Sequence, residues 1–255
     1  NLVSSKKSRF ILPNLLTIIG VCLGISSIKF ALDQNYSLAV IFVGLASILD
    51  ALDGRIARLI KGTTEFGKEL DSLTDFVSFG IAPAFILYFW ELKNYGKIGW
   101  AITLIFSVCC VLRLARFNLT KISEGAEWKL NYFEGVPSPA GAGLVLLPLV
   151  YELSEIKFSI DIKSMTPFFV VIVALLLISK IPTFSLKKIK VSSQLSIFLL
   201  FGIVVIFISL IFFTFESLLV IGGIYLLSIP LSFYSYKKTS KKINNQSEED
   251  HEDIL

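Results

Sequence analysis

Eight stretches of this chain are long and mostly apolar: 12–32, 36–58, 68–90, 97–118, 139–155, 165–181, 194–214 and 217–236. A helix needs about 20 such residues to cross a bilayer. The expected fold is therefore all-α, a polytopic membrane helix bundle with about eight transmembrane helices, the fifth and sixth runs being short. Composition agrees, since 17% of the 255 residues are charged and 54% are hydrophobic, whereas soluble domains carry about 25% charge. A soluble enzyme, a disordered chain and a disulfide scaffold are excluded. Histidine catalysis in the folded core is excluded too, because the only histidine is His251. Cys22, Cys109 and Cys110 lie in apolar runs without metal-site or disulfide spacing, and read as small hydrophobic residues.

The basic residues give the topology. With eight spans both termini share one side, and that side, with the 2/3, 4/5 and 6/7 connections, holds 19 of the 24 Lys and Arg. Lys29, Lys93, Lys97, Lys157 and Lys163 fall on the other side. Positive charge marks the cytoplasm, so both termini are expected there, in the inner cell membrane. The basic residues follow topology instead of forming one patch, so no nucleic-acid partner is expected. Residues 1–236 read as one membrane domain, and the polar stretch 237–255 as a disordered cytoplasmic tail.

Four aspartates interrupt the second and third runs. Asp50 and Asp53 are spaced i,i+3, and Asp71 and Asp75 i,i+4, so each pair shares a helix face. A short connection around Gly62 and Gly67 would make the two helices antiparallel neighbours and bring the four carboxylates together near their cytoplasmic ends. An Asp at a helix centre costs roughly 2.5–3.5 kcal/mol on insertion scales, and less near the interface. Two carboxylates about 4 Å apart repel by about 4 kcal/mol at an effective dielectric near 20. Arg55, Arg58, Lys61 and Lys68 can reach water, but two divalent cations would neutralise all four acids. Mg²⁺ or Mn²⁺ suits such all-oxygen ligands and pairs carboxylates with substrate phosphates. Gly54, Ala57 and Gly67 leave room for a ligand at the backbone.

The residues Asp50, Asp53, Gly54, Ala57, Arg58, Gly67, Asp71 and Asp75, at this spacing, resemble the signature of the CDP-alcohol phosphatidyltransferases. Those enzymes transfer a substituted phosphate from a CDP-linked lipid to an alcohol and release CMP. Three segments resemble the integral-membrane phosphatidylserine synthase branch: Asp71–Ala84, Leu112–Asn118 and Phe133–Ala140. Position 74 is Thr, where the family commonly has Ala.

The resemblance implies that Asp50, Asp53, Asp71 and Asp75 bind two divalent ions, and that Asp75 is also the proton acceptor. It implies that Gly54, Ala57, Arg58 and Thr64, with Pro13, Asn14, Leu15 and Leu16, line the CDP-lipid site. The implied substrates are CDP-diacylglycerol and L-serine, with membrane lipids and a second copy in a homodimer as partners. Arg113 and Arg116 are candidates for the serine carboxylate, because a guanidinium fork matches a carboxylate. Without a core histidine or a His-x-Lys motif, direct transfer is expected, not a covalent enzyme intermediate. Glycerol-3-phosphate is the alternative acceptor, and a cation transporter the alternative class, since intramembrane acids also mark ion pathways.

Overall fold

The structure, a computed structural model, describes residues 11–60, 64–119, 132–157, 159, 161–184 and 193–252. They fall into two compact units: Asn1–Thr120 with Pro137–Ile178, and Lys121–Val136 with Ser179–Leu255.

The first unit opens with α1 (Ile11–Leu32) and α2 (Tyr36–Leu59), which pack along each other. Their connection is a tight turn in which Asn35 caps α2, its side chain accepting from Leu38 N at 3.2 Å. The buried residues of α1 are Pro13, Thr17, Gly20, Gly24, Ser27 and Ala31. They recur every three or four positions and form one stripe of small side chains, which permits close helix approach. On α2 the buried face runs Ala39, Val40, Val43, Ala46 and then Asp53. The stripe that packs the hairpin thus ends on a carboxylate.

Thr64 caps α3 (Glu65–Asp75), accepting from Gly67 N at 3.0 Å. The helix then continues through a π-helical stretch, Phe76–Ile81, into α4 (Ala82–Trp90). Pro83 explains the change of register: it has no N–H to give the carbonyl four residues back, and Ala82 N–H reaches Val77 O, five back. The stretch presents buried Ser78 to α1, where a Cβ on Gly24 would sit 2.9 Å from Ser78 Cα. Only glycine permits that approach.

A 3₁₀ turn, Leu92–Tyr95, leads into α5 (Gly96–Leu119). The remaining helices of this unit are α6 (Ser138–Val145), α7 (Leu147–Leu153) and α8 (Ile162–Ile178), and α8 packs against α5 and α6.

In the second unit, β1 (Tyr132–Glu134) pairs antiparallel with β2 (Pro182–Phe184). Thr183 Oγ1 donates to Gly135 O at 2.9 Å. The unit continues with α9 (Ser193–Phe212) and α10 (Thr214–Glu252), joined by a 2.6 Å hydrogen bond between the Ser209 and Ser217 hydroxyls.

Among the described residues, five helices are long and apolar enough to cross a membrane: Ile11–Leu32, Tyr36–Leu59, Glu65–Trp90, Leu92–Leu119 and Thr214–Lys237. The first four expected spans and the last are therefore found as drawn, within a few residues. The expected fifth span, 139–155, is instead two short helices broken at Leu146, because Pro148 in the first turn of α7 cannot extend the ladder of α6. Every residue from Leu144 to Tyr151 is buried in protein. The expected sixth, 165–181, is the 17-residue α8, starting earlier and stopping at Ile178 ahead of β2. The seventh run forms α9, with its described apolar part at Leu200–Phe212. The polar stretch after residue 236 does not become irregular: α10 carries its backbone as helix to Glu252. Its Lys, Glu and Gln residues have good helix propensity, and an existing helix propagates easily into them.

Candidate metal centre and active site

Asp50 and Asp53 lie on the C-terminal half of α2, and Asp71 and Asp75 on the second half of α3. Asp50, Asp53 and Asp71 come together, each with a carboxylate oxygen within 4.8 Å of the other two. The Asp50 carboxyl is also within hydrogen-bonding reach of both Asp71 and Asp75. The four aspartates singled out by spacing therefore form one cluster. Gly62 lies outside the described residues.

Three ionised carboxylates at about 4.8 Å repel by about 3.5 kcal/mol per pair at an effective dielectric near 20, on the order of 10 kcal/mol together. Two nearby cations are engaged elsewhere. Arg58 Nε donates back to Gly54 O at 2.8 Å, and Lys68 pairs with Glu65 at 2.7 Å. In addition, Asp75 Oδ1 is enclosed and has no hydrogen-bond partner. Both features fit a hard divalent cation with oxygen ligands, which would neutralise the triad and give the orphaned oxygen a partner.

Around the cluster lie further side chains: the hydroxyls of Thr17 and Ser138, which sequence reasoning missed, and the expected Arg113. Thr17 Oγ1, on α1, donates to Asp53 Oδ2 at 2.7 Å. Ser138, buried at the start of α6, accepts a hydrogen bond from Arg113 Nη1 and has the Cys110 thiol 3.9 Å away. Arg113 is buried, stacks 5.9 Å from the Phe117 ring centroid and lies close enough to Asp75 to interact with it electrostatically. Asn118 Nδ2 donates to Ser72 Oγ at 3.0 Å, tying the end of α5 to α3.

The two arginines part company. Arg113 is buried and close enough for its charge to act on Asp75, whereas Arg116 Nη1 donates to Ile178 O at 2.6 Å and so caps the last turn of α8.

The residues expected to hold the CDP-lipid are distributed as follows. Gly54 and Ala57 are half-buried beside Asp53, and a Cβ on Gly54 would meet nothing within 4 Å. Thr64 caps α3, and Asn14 approaches the same turn, its Oδ1 lying 3.2 Å from where a Cβ on Gly67 would be. Pro13 belongs to the buried stripe of α1 and Leu16 is half-buried. Leu15 turns outward and is 49% exposed, so it stands apart from this group.

Comparison with known proteins agrees with the geometry. A family model for CDP-alcohol phosphatidyltransferase matches residues 10–228. The chain is similar to a CDP-diacylglycerol–serine O-phosphatidyltransferase of Helicobacter pylori, at 37% identity over 220 residues, covering 86% of this chain and 89% of that protein. An enzyme of the same name from Mycobacterium leprae is 39% identical over 186 residues, covering 71% of this chain and 60% of that protein. One from Bacillus subtilis is 36% identical over 142 residues, covering 55% and 77%. With five apolar helices of spanning length among its described residues, this is an integral membrane transferase. The chain belongs to the CDP-alcohol phosphatidyltransferase family.

Proposed function

We propose that the protein is a phosphatidylserine synthase, joining CDP-diacylglycerol to L-serine to give phosphatidylserine and CMP. The observation that carries this reading is the convergence of Asp50, Asp53 and Asp71 within 4.8 Å, in a chain whose relatives of that name match most of its length.

Asp50, Asp53, Asp71 and Asp75 hold two divalent ions, Mg²⁺ or Mn²⁺. Bound there, such ions supply positive charge for the pyrophosphate and for the oxygens that gain charge during transfer. Gly54, Ala57, Arg58 and Thr64, with Pro13, Asn14, Leu15 and Leu16, receive the CDP-lipid. The open space at Gly54 lets a phosphate approach the backbone, and Leu15, facing outward, is placed for the lipid end of the substrate.

Asp75 accepts the proton of the serine hydroxyl. An ionised carboxylate has about four acceptor sites, so Asp75 can hold an ion through one oxygen and still take a proton. The serine oxygen then attacks the phosphorus that bears diacylglycerol, the bond from that phosphorus to the CMP oxygen breaks, and CMP leaves with the electron pair. The transfer is direct and in line. Arg113 reads the serine carboxylate, in preference to Arg116, because it is Arg113 whose charge acts on Asp75.

The domain is residues 1–236 and the tail 237–255. The chain makes eight traversals, with α6–α7, α8 and α9 supplying those beyond the five long helices. Both termini and the active site face the cytoplasm at the inner membrane, in keeping with 19 of 24 basic residues on that side. The enzyme works as a homodimer.

The test is purified protein with CDP-diacylglycerol and a panel of alcohols, each with and without chelator. CMP release with L-serine, abolished by chelator, is expected. Release with glycerol-3-phosphate instead of serine, or release indifferent to chelator, rejects the reading.

A further inference from the structure

Of the four aspartates Asp53 is the least exposed to solvent, at 4%, and its side-chain hydrogen bond comes from a different helix. Thr17 on α1 is itself buried, and its Oγ1 lies 2.7 Å from Asp53 Oδ2 and 3.0 Å from Pro13 O. A hydroxyl carries one proton. The shorter distance and the charge of the acceptor assign that proton to Asp53, since bonds to ionised acceptors are the shorter and stronger ones.

The consequence is torsional. The bond that orients an aspartate carboxyl is soft, with a broad two-fold profile. Anchoring Oδ2 fixes where Oδ1 points. Thr17 is itself held by packing: it is buried on the stripe between Pro13 and Gly20.

We propose that Thr17 is a positioning residue of the metal centre, holding Asp53 in its ligating orientation and making α1 a working part of a cage whose ligands all come from α2 and α3. The proposal rests on the reading of the aspartates as ion ligands. It also ties the cage to Pro13 and Asn14, one turn away on the same helix, which the proposed function gives to the CDP-lipid. Partners that orient a metal ligand commonly change metal affinity by about 10–100-fold when removed.

The test is Mn²⁺ binding by the full-length protein in detergent, followed by electron paramagnetic resonance of the free ion, with no substrate present. T17V keeps the shape and removes the donor, T17S keeps the donor, and T17A is a second donor-free variant should Val fail to fold. T17V or T17A is expected to weaken Mn²⁺ binding about tenfold or more, while T17S stays close to wild type. In a D53N background, T17V is expected to add nothing further, because the two residues act through one bond. A folded T17V or T17A that binds Mn²⁺ like wild type overturns the role of Thr17 and leaves the cage standing. Wild-type protein whose Mn²⁺ binding is untouched by D50N or D71N overturns the cage, and this proposal with it.

Discussion

Replacing Asp71 by Asn separates the stability of the metal-free protein from its function, and the two should move in opposite directions. Asp71 lies within 4.8 Å of both Asp50 and Asp53 through their carboxylate oxygens. Neutralising it removes two of the three repulsive pairs, a ceiling of about 7 kcal/mol at an effective dielectric near 20. Solvent reaches Asp50 and Asp71, which are half-buried, and screening reduces the gain to about 1–3 kcal/mol. At about 2–4 °C per kcal/mol for a domain of this size, the Tm in EDTA rises by about 2–12 °C. Mn²⁺ at about 100 times its Kd stabilises wild type by about 2.7 kcal/mol, and a variant short of one ligand gains less. Melting curves of both proteins in detergent, in EDTA and in saturating Mn²⁺, are therefore expected to change order, with D71N above wild type only in EDTA, while D71N turnover is lost. A D71N protein that melts below wild type in EDTA, or that gains as much from Mn²⁺ as wild type, refutes this electrostatic account.

Gly24→Val forces a side chain into the contact with Ser78, where even a Cβ would come within 2.9 Å of backbone; overpacking of this kind costs about 1–3 kcal/mol, read as a lower Tm. Gly54→Ala should do the reverse to stability, gaining up to about 1 kcal/mol of helix propensity in open space, while raising the KM for CDP-diacylglycerol. Arg113→Lys is expected to raise the KM for serine, because a point charge cannot replace a bidentate fork. Arg116→Lys, at a helix cap, should lower Tm and leave that KM unchanged; equal effects of both exchanges on KM would remove Arg113 from the acceptor site.

The four aspartates were legible because their spacing alone places each pair on one helix face, and because a carboxylate in an apolar run is costly without a counter-charge. The hydroxyls around them, Thr17 on Asp53 and Ser138 on Arg113, were not. Thr17 and Ser138 sit in apolar surroundings where a hydroxyl normally bonds back to its own helix, and Thr17 does approach Pro13 O at 3.0 Å. Which way such a group turns depends on helix rotation, fixed only when α1 packs against α2. The break at Leu146 had a visible signal in Pro148, and the π stretch had one in Pro83, but apolar content over a long window masks both. The spacing of Arg113 and Arg116 left open which of them faces the site, and the end of α8 decides it. Residues past 236 were polar enough to read as coil, yet they inherit helix from α10.

The central claim is best tested by the structure of the protein with Mn²⁺, read by the anomalous signal of the ion. Two anomalous peaks are expected, within coordination distance of carboxylate oxygens and together touching Asp50, Asp53, Asp71 and Asp75. No peak among these four side chains at saturating Mn²⁺, or peaks held only by other residues, contradicts the account.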